Sequence, residues 1–225
     1  MNQSLAVIFD IDGVLIDSYA PHFESWRRIA GQHGVDYTEA MFAKGFGRTS
    51  REIIAEDWEL PNLSSEDISA IDQAKEAAYR EIVAENFPAM PGATELVRQL
   101  HEAEFQIAVG SSGPRENVEL AIEQLGIRPC LGAAISGQDV TRGKPDPQIF
   151  LRAAQKLNTP PERCAVIEDA PAGLEAARAA GMVCVGFPST GHAPADLIAA
   201  DLVITQLADL SPNVMRDLIF QPQSR

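Results

Sequence analysis

The stretch Leu5-Ala6-Val7-Ile8-Phe9-Asp10-Ile11-Asp12-Gly13-Val14-Leu15-Ile16-Asp17-Ser18 decides how the rest of the chain is read. Five apolar residues run straight into two aspartates one residue apart, and a glycine follows. An apolar run of this length, bounded by turn chemistry, predicts a buried parallel strand. Open α/β sheets bind ligands at the carboxyl ends of such strands, so the aspartates stand where a site is expected. In a continuing strand Asp10 and Asp12 share a face, because side chains alternate. If the chain instead curls after Asp10, the two converge on one reacting atom. Carboxylates this close repel unless a cation sits between them or one holds a proton. For Asp-x-Asp by itself, a solvated turn is the plain alternative.

The 225 residues suffice for a substantial core and a small second unit. The 45% apolar content is that of an ordinary soluble globular protein. The N-terminus shows no basic region followed by an apolar stretch, so no secretory signal is expected. No segment reaches the apolar length of a membrane span. Cys130, Cys164 and Cys184 lack metal-ligand spacing, and the latter two lie in apolar strand-like runs as buried thiols. A cytoplasmic protein working as a monomer is expected. The formal net charge of −14 argues against nucleic acid or an anionic membrane as partner. It also means that any phosphate site needs local cations.

Beyond Ser18 the periodicity turns helical. Helices are predicted at about 22–33, 38–42, 50–58 and 65–85, the last capped by Ser64 or Ser65. Pro88-Ala89-Met90-Pro91-Gly92 ends this region, so residues 19–88 read as a helical insertion into a core of residues 1–18 and 89–225. From Pro91 onward helices alternate with apolar strands at 106–110, 132–136, 164–167, 183–186 and 202–205. Such alternation predicts an α/β fold, a doubly wound parallel sheet covered by helices on both faces. Gly181 reads as a left-handed helix cap.

Three further strand ends or pre-helix loops carry polar groups. Gly110-Ser111-Ser112-Gly113-Pro114 offers hydroxyls, free N–H groups and a helix N-terminus, which suit a phosphoryl oxygen. A plain Ser-Gly turn is the alternative. Gly143-Lys144-Pro145-Asp146-Pro147 places a lysine in a rigid loop before a helix, where a lone lysine is ordinarily solvated. Glu168 and Asp169 directly follow the strand at 164–167, although acids also favour a helix start for dipole reasons.

The order Asp-x-Asp, Ser, Lys-Pro, Glu-Asp, each at its strand end or pre-helix loop, resembles the haloacid dehalogenase superfamily of phosphoryl-transfer enzymes. The resemblance covers residues 1–18 and about 89–205, and implies a Rossmann-like core. The insertion resembles the α-helical cap of one branch. By that resemblance Asp10 is the nucleophile and forms an aspartyl-phosphate. Asp12 is the general acid/base. Asp10, the backbone carbonyl of Asp12 and Asp169 hold Mg²⁺, with Glu168 binding it directly or through water. Ser111, the Ser112 amide and Lys144 hold the transferring phosphoryl group. The dehalogenases and phosphonate-cleaving members lack an acid two residues after the nucleophile, so Asp12 points to a phosphate ester.

In the insertion, His22 and Trp26 stand four apart and share a helix face; a packing pair is the alternative. Lys44-Gly45-Phe46-Gly47-Arg48 reads as a glycine-bearing loop with two cations. Lys75 lies on a later helix, where a lysine is usually solvated. These positions resemble β-phosphoglucomutase, in which the arginine and the cap lysine contact the sugar phosphate. Here the loop continues Arg48-Thr49-Ser50-Arg51 and the second motif reads Ser-Ser-Gly-Pro, a form common among hydrolases of the branch. The expected activity is hydrolysis of a small phosphorylated sugar or polyol. A phosphomutase is the alternative, and a non-catalytic binding protein on the same fold a remote one.

Overall fold

The computed structural model describes residues 4–45, 50–58, 60 and 63–220. Ala6–Phe9 form β1, buried throughout. On one side β1 pairs with β2 (Gln106–Gly110), Phe9 opposite Val109. Beyond β2 lies β3 (Leu131–Ile135). On its other side β1 pairs with β4 (Cys164–Glu168), Phe9 opposite Ile167. β5 (Val183–Gly186) and β6 (Leu202–Val203) follow in turn. All pairings are parallel, in the order β3-β2-β1-β4-β5-β6. The chain winds outward from β1 to β3, then resumes on the other side of β1 with β4. That reversal leaves a crevice beyond the carboxyl ends of β1 and β4, where a sheet of this kind binds ligands.

The chain divides into two compact units, Met1–Asp17 with Ala89–Arg225, and Ser18–Pro88. The second contains α1 (Tyr19–Gln32), α2 (Glu39–Gly45), α3 (Ser50–Asp57) and α4 (Ser65–Glu85). Trp26, Tyr37, Phe42, Ile54 and Trp58 lie in its own apolar core. α4 starts where Ser64 accepts the Asp67 N–H while Asp67 accepts the Ser64 N–H, a reciprocal cap. At the junction, Ile16 and Ala89 form an antiparallel bridge, and the Met90 N–H donates to the Leu15 carbonyl at 2.9 Å.

The sheet unit adds α5 (Ala93–Glu102), α6 (Arg115–Leu125), α7 (Gln148–Lys156), α8 (Pro171–Ala179) and α9 (Pro212–Phe220). Ala6, Ile8, Ala108, Val166 and Cys184 pack against Ile149 and Phe150 of α7 and Leu174 and Ala177 of α8. Val7 and Phe9 alternate to the opposite face and are equally buried. A strand covered on both faces has to be apolar at every position, which is the pattern read at residues 5–9. Each fully buried Ile or Phe of this layer contributes about 1.5–3 kcal/mol. Burial, with Glu162 adding to it, pushes the Cys164 thiol up to about 12 and makes it an inert part of the core. Among the described residues no helix is long and apolar enough to cross a membrane.

Four readings of the sequence are corrected. Lys44 and Gly45 are not loop: they close α2, and Gly45 is buried near Ile53 and Tyr37. α1 begins three residues before the expected start, since Pro21 is tolerated in a first turn, where its missing N–H has no helical partner. β6 stops at Val203 instead of running to 205, because the Asp209 carboxylate takes the N–H groups of Thr205 and Gln206 at 3.0 and 3.1 Å. α9 was not expected. Its start is nonetheless written in Ser211-Pro212, with the Ser211 hydroxyl accepting the Val214 N–H at 3.3 Å.

Candidate active site

β1 ends at Phe9, and the chain does not continue as strand. The Leu15 and Ile16 N–H groups both donate to the Ile11 carbonyl, at 2.9 and 3.1 Å, and Gly13 N–H donates to the Ile16 carbonyl at 2.8 Å. This curl is possible because Gly13 takes a φ of +78°, a region L-residues seldom enter. Asp10 stays in register with the sheet through its N–H to the Ile167 carbonyl, 3.0 Å. Asp10 and Asp12 are therefore set by a turn and not by strand alternation.

Asp10, directly after β1, meets Glu168 and Asp169 at the end of β4. One carboxylate oxygen of each lies within 4.8 Å of the others, and all three residues are buried. Lys144 reaches this group from the loop before α7. Its Nζ lies 2.5 Å from Asp10 Oδ1 and 2.5 Å from Glu168 Oε1, and 5.0 Å from the Phe150 ring centre. The loop is fixed where Gln148 Oε1 accepts the N–H groups of Thr141 and Arg142, at 2.8 and 3.0 Å. Thus Lys144 is not the solvated lysine that its loop position suggests. Its side chain is only 10% exposed, so its charge acts at close to full strength on its two partners. Glu168 turns its other oxygen to the N–H groups of Asp169 and Ala170, at 2.8 and 3.0 Å. Gly173 makes room for it, since a Cβ there would collide with the Glu168 carboxylate.

The electrostatics follow from this burial. Burial raises the Asp10 carboxyl well above its usual range; Lys144 pulls it down, while Glu168, Asp169 and Asp12 push it up again. Asp169 is pushed up to about 8, by burial first and by Glu168 next, against the pull of the Ser189 hydroxyl and Lys144. Burial disfavours the Lys144 ammonium, but Asp10 and Glu168 more than offset it and hold the group above its usual value. Three carboxylates against one ammonium leave an excess of two negative charges when all are ionised. A divalent cation cancels that excess, so the donor set fits a hard metal ion with oxygen ligands.

Ser111 directly follows β2 and is buried, with its hydroxyl accepting the Gly113 N–H at 3.0 Å and its own N–H donating to the Ile135 carbonyl. Ser112 is exposed. Asp12 lies toward this turn: a Cβ placed on Gly113 would stand 3.3 Å from Ser111 Oγ and 3.8 Å from Asp12 Oδ2. The Asp12 carboxylate is not part of the three-acid group.

The inserted unit holds a second polar cluster. Lys75, 3% exposed, is not solvated as a helix-surface lysine would be. Its Nζ lies 2.9 Å from His22 Nδ1 and 2.8 Å from Glu76 Oε1, over the rings of Trp26 (5.4 Å) and Tyr79 (5.6 Å). The His22 ring stacks on Tyr79 at 4.0 Å. His22 and Trp26 thus share a face of α1, as their spacing predicts, and Trp26 also stacks on Tyr37 at 5.6 Å. Lys44 is exposed. Arg48 lies outside the described residues.

Ser189, in the loop after β5, was not singled out in the sequence. Its hydroxyl donates to Asp169 Oδ2 at 2.5 Å. The available signal was position: Ser189 lies just beyond a strand's carboxyl end, as the other site residues do. Gly13 is tied to the same pair, because a Cβ there would collide with the Asp169 carboxylate and stand 2.7 Å from Ser189 Oγ. Gly13→Ala should therefore lower stability by about 1–2 kcal/mol through its backbone conformation alone. Chemical denaturation reads this, and an unchanged midpoint would contradict the geometry.

Over most of its length the chain is similar to known proteins. Residues 5–181 match the model of a family described as "Hydrolase: haloacid dehalogenase-like hydrolase". Validoxylamine A 7'-phosphate phosphatase of Streptomyces hygroscopicus subsp. limoneus is 36% identical over 211 residues, 90% of this chain and 94% of that protein. Beta-phosphoglucomutase of Bacillus subtilis is 32% identical over 218 residues, 94% of each chain. The crystal structure of CbbY from Rhodobacter sphaeroides in complex with phosphate superposes with a TM-score of 0.86 at 26% identity, over 96% of this chain and all of that one.

Proposed function

Because the chain belongs to the haloacid dehalogenase-like hydrolase family, we propose that it is a Mg²⁺-dependent phosphatase of a small phosphorylated sugar or polyol, acting through an aspartyl-phosphate on Asp10. The observation that carries this is the buried set Asp10, Lys144, Glu168 and Asp169 at the ends of β1 and β4. One relative's name, that of the validoxylamine phosphate phosphatase, supports the substrate class.

Asp10, Asp169 and Glu168 would hold Mg²⁺, with the Asp12 carbonyl as a further ligand. Bound there, the ion would supply positive charge to the phosphoryl oxygens and keep Asp10 ionised. Lys144 holds Asp10 Oδ1, which leaves the other carboxylate oxygen to attack phosphorus. The P–O bond to the sugar breaks as the Asp10–phosphorus bond forms, and Asp12 gives its proton to the leaving oxygen. Water then attacks phosphorus as the Asp10–phosphorus bond breaks, and Asp12 takes a proton from that water, which restores both carboxyl groups. Ser111, the Ser112 amide and Lys144 would hold the phosphoryl oxygens throughout. Asp12 lies near the Ser111 turn and outside the three-acid group, which suits a group that must carry a proton at the first step.

Activity should require Mg²⁺ and vanish on chelation, and Asp169→Ala should raise the Mg²⁺ concentration needed at least about tenfold. Turnover at full occupancy in excess chelator would contradict the metal assignment.

A phosphomutase is the second reading, supported by the 32% identity to a beta-phosphoglucomutase and by the buried Lys75–His22 cluster. The chemical difference lies in what attacks the aspartyl-phosphate, water or a sugar hydroxyl. A mutase needs cations for the far phosphate of a bisphosphate, and Arg48, Lys44 and Lys75 are the candidates. One experiment separates the two. β-Glucose 1-phosphate is offered with Mg²⁺ and a trace of the 1,6-bisphosphate, and the products are followed by NMR. Free phosphate without glucose 6-phosphate is expected. Isomerisation far faster than phosphate release from any sugar phosphate tested would establish the mutase. Arg48→Ala should impair turnover of sugar phosphates more than that of an aryl phosphate, and equal losses would remove Arg48 from recognition.

A further inference from the structure

We propose that Ser189 is a positioning residue for the metal ligand Asp169, fixing which of its two carboxylate oxygens faces the cation; this rests on the metal site proposed above. Asp169 follows β4 directly, and a carboxylate there has two ways to turn. Two features select one. The Ser189 hydroxyl donates to Oδ2 at 2.5 Å. Gly13, at φ +78°, lies so close that a Cβ would collide with that same Oδ2 and with Ser189 Oγ. Oδ2 is thus enclosed by a donor and by the backbone of the curl, while Asp169 still offers an oxygen to the group with Asp10 and Glu168.

The loop that carries Ser189 is itself anchored. The Phe187 N–H donates to the Glu168 carbonyl at 2.8 Å, so the end of β5 is tied to the strand that bears both β4 acids. Two residues on, the Ser189 carbonyl accepts the His192 N–H at 3.2 Å and closes a turn. Gly191 takes a φ of +114° within that turn. The hydroxyl is therefore delivered by the third strand end to meet at this site, after β1 and β4. A hydrogen bond from outside the ligand set orients a ligating carboxylate, and loss of such a bond typically costs about 10–100-fold in metal affinity.

The test is Mg²⁺ binding to the whole protein by isothermal titration calorimetry, without substrate. Wild type, Ser189→Ala, Ser189→Thr and Asp169→Ala are compared, each with a thermal melt in chelator to verify folding. Ser189→Ala should weaken Mg²⁺ binding about 10–100-fold, and Ser189→Thr, which keeps the hydroxyl, should restore most of it. Wild-type affinity in Ser189→Ala overturns the inference alone. So does a loss that Ser189→Thr leaves unrepaired, because the hydroxyl is then not the cause. If wild type binds no Mg²⁺, or Asp169→Ala binds it undiminished, the metal site itself falls and the inference with it.

Discussion

Asp10→Asn loses turnover by at least about 10³-fold while folding as well as the parent protein or better. The amide has the shape of the carboxylate but no charge with which to attack phosphorus. Its oxygen still accepts the bond from Lys144 Nζ, which keeps Glu168 as its ionic partner. Stability should not suffer, because in the absence of metal burial works against an ionised Asp10, and Glu168, Asp169 and Asp12 add repulsion. Replacing it by a neutral group removes those costs. The measurement pairs hydrolysis of an aryl phosphate with a thermal melt in chelator. Turnover within about tenfold of the parent would remove Asp10 as nucleophile, and a collapse of the melt would show that its charge is needed for folding.

Lys144→Met should damage stability and activity together. Among the described residues, Lys144 is the one cation in contact with Asp10 and Glu168, each at 2.5 Å. Methionine matches its length and apolar stem without the charge. Removing one partner from a buried ionic group costs about 3–5 kcal/mol, because the others remain buried without compensation. Turnover should fall at least about 10²-fold, since the charge that develops on the phosphoryl group loses a fixed donor. Denaturant unfolding should show the full loss in chelator and part of it recovered in Mg²⁺, because a ligand that binds only the folded state raises its stability. Equal stability with and without the ammonium would mean that the carboxylates do not repel as their burial implies.

The strands were legible because both faces of the sheet are covered, which forces apolar runs at 6–9, 107–109 and 164–167. The site in the sheet unit was legible for a related reason. A polar residue directly after such a run has left the core, and in an open parallel sheet these exits converge. Asp10, Ser111, Glu168 and Asp169 were read in that way. Ser189 follows the same rule but bears no charge, and a serine after Phe187-Pro188 looks like any loop residue. For Lys75 the solvated alternative fails, although a helical lysine is usually solvated. Ile71 and Tyr79, four residues to either side, are both buried and share its helix face, so its burial was already spelled out in α4. β6 ended early through Asp209, a side-chain competitor for backbone N–H groups that no strand pattern displays.

The Ile16–Ala89 bridge has an evolutionary consequence. The chain leaves the sheet unit and re-enters it at neighbouring backbone positions, clasped by the Met90 N–H and the Leu15 carbonyl at 2.9 Å. Whatever is threaded between them starts and finishes at one doorway. The entropic cost of a closed excursion rises only slowly with its length, by about 0.6 kcal/mol per doubling. Exchange, growth or shortening of the helical segment therefore asks little of the sheet. Asp10 and Lys144 are bonded to each other entirely on the sheet side of the doorway. The inserted segment can diverge while the Asp10–Lys144 pair is inherited intact.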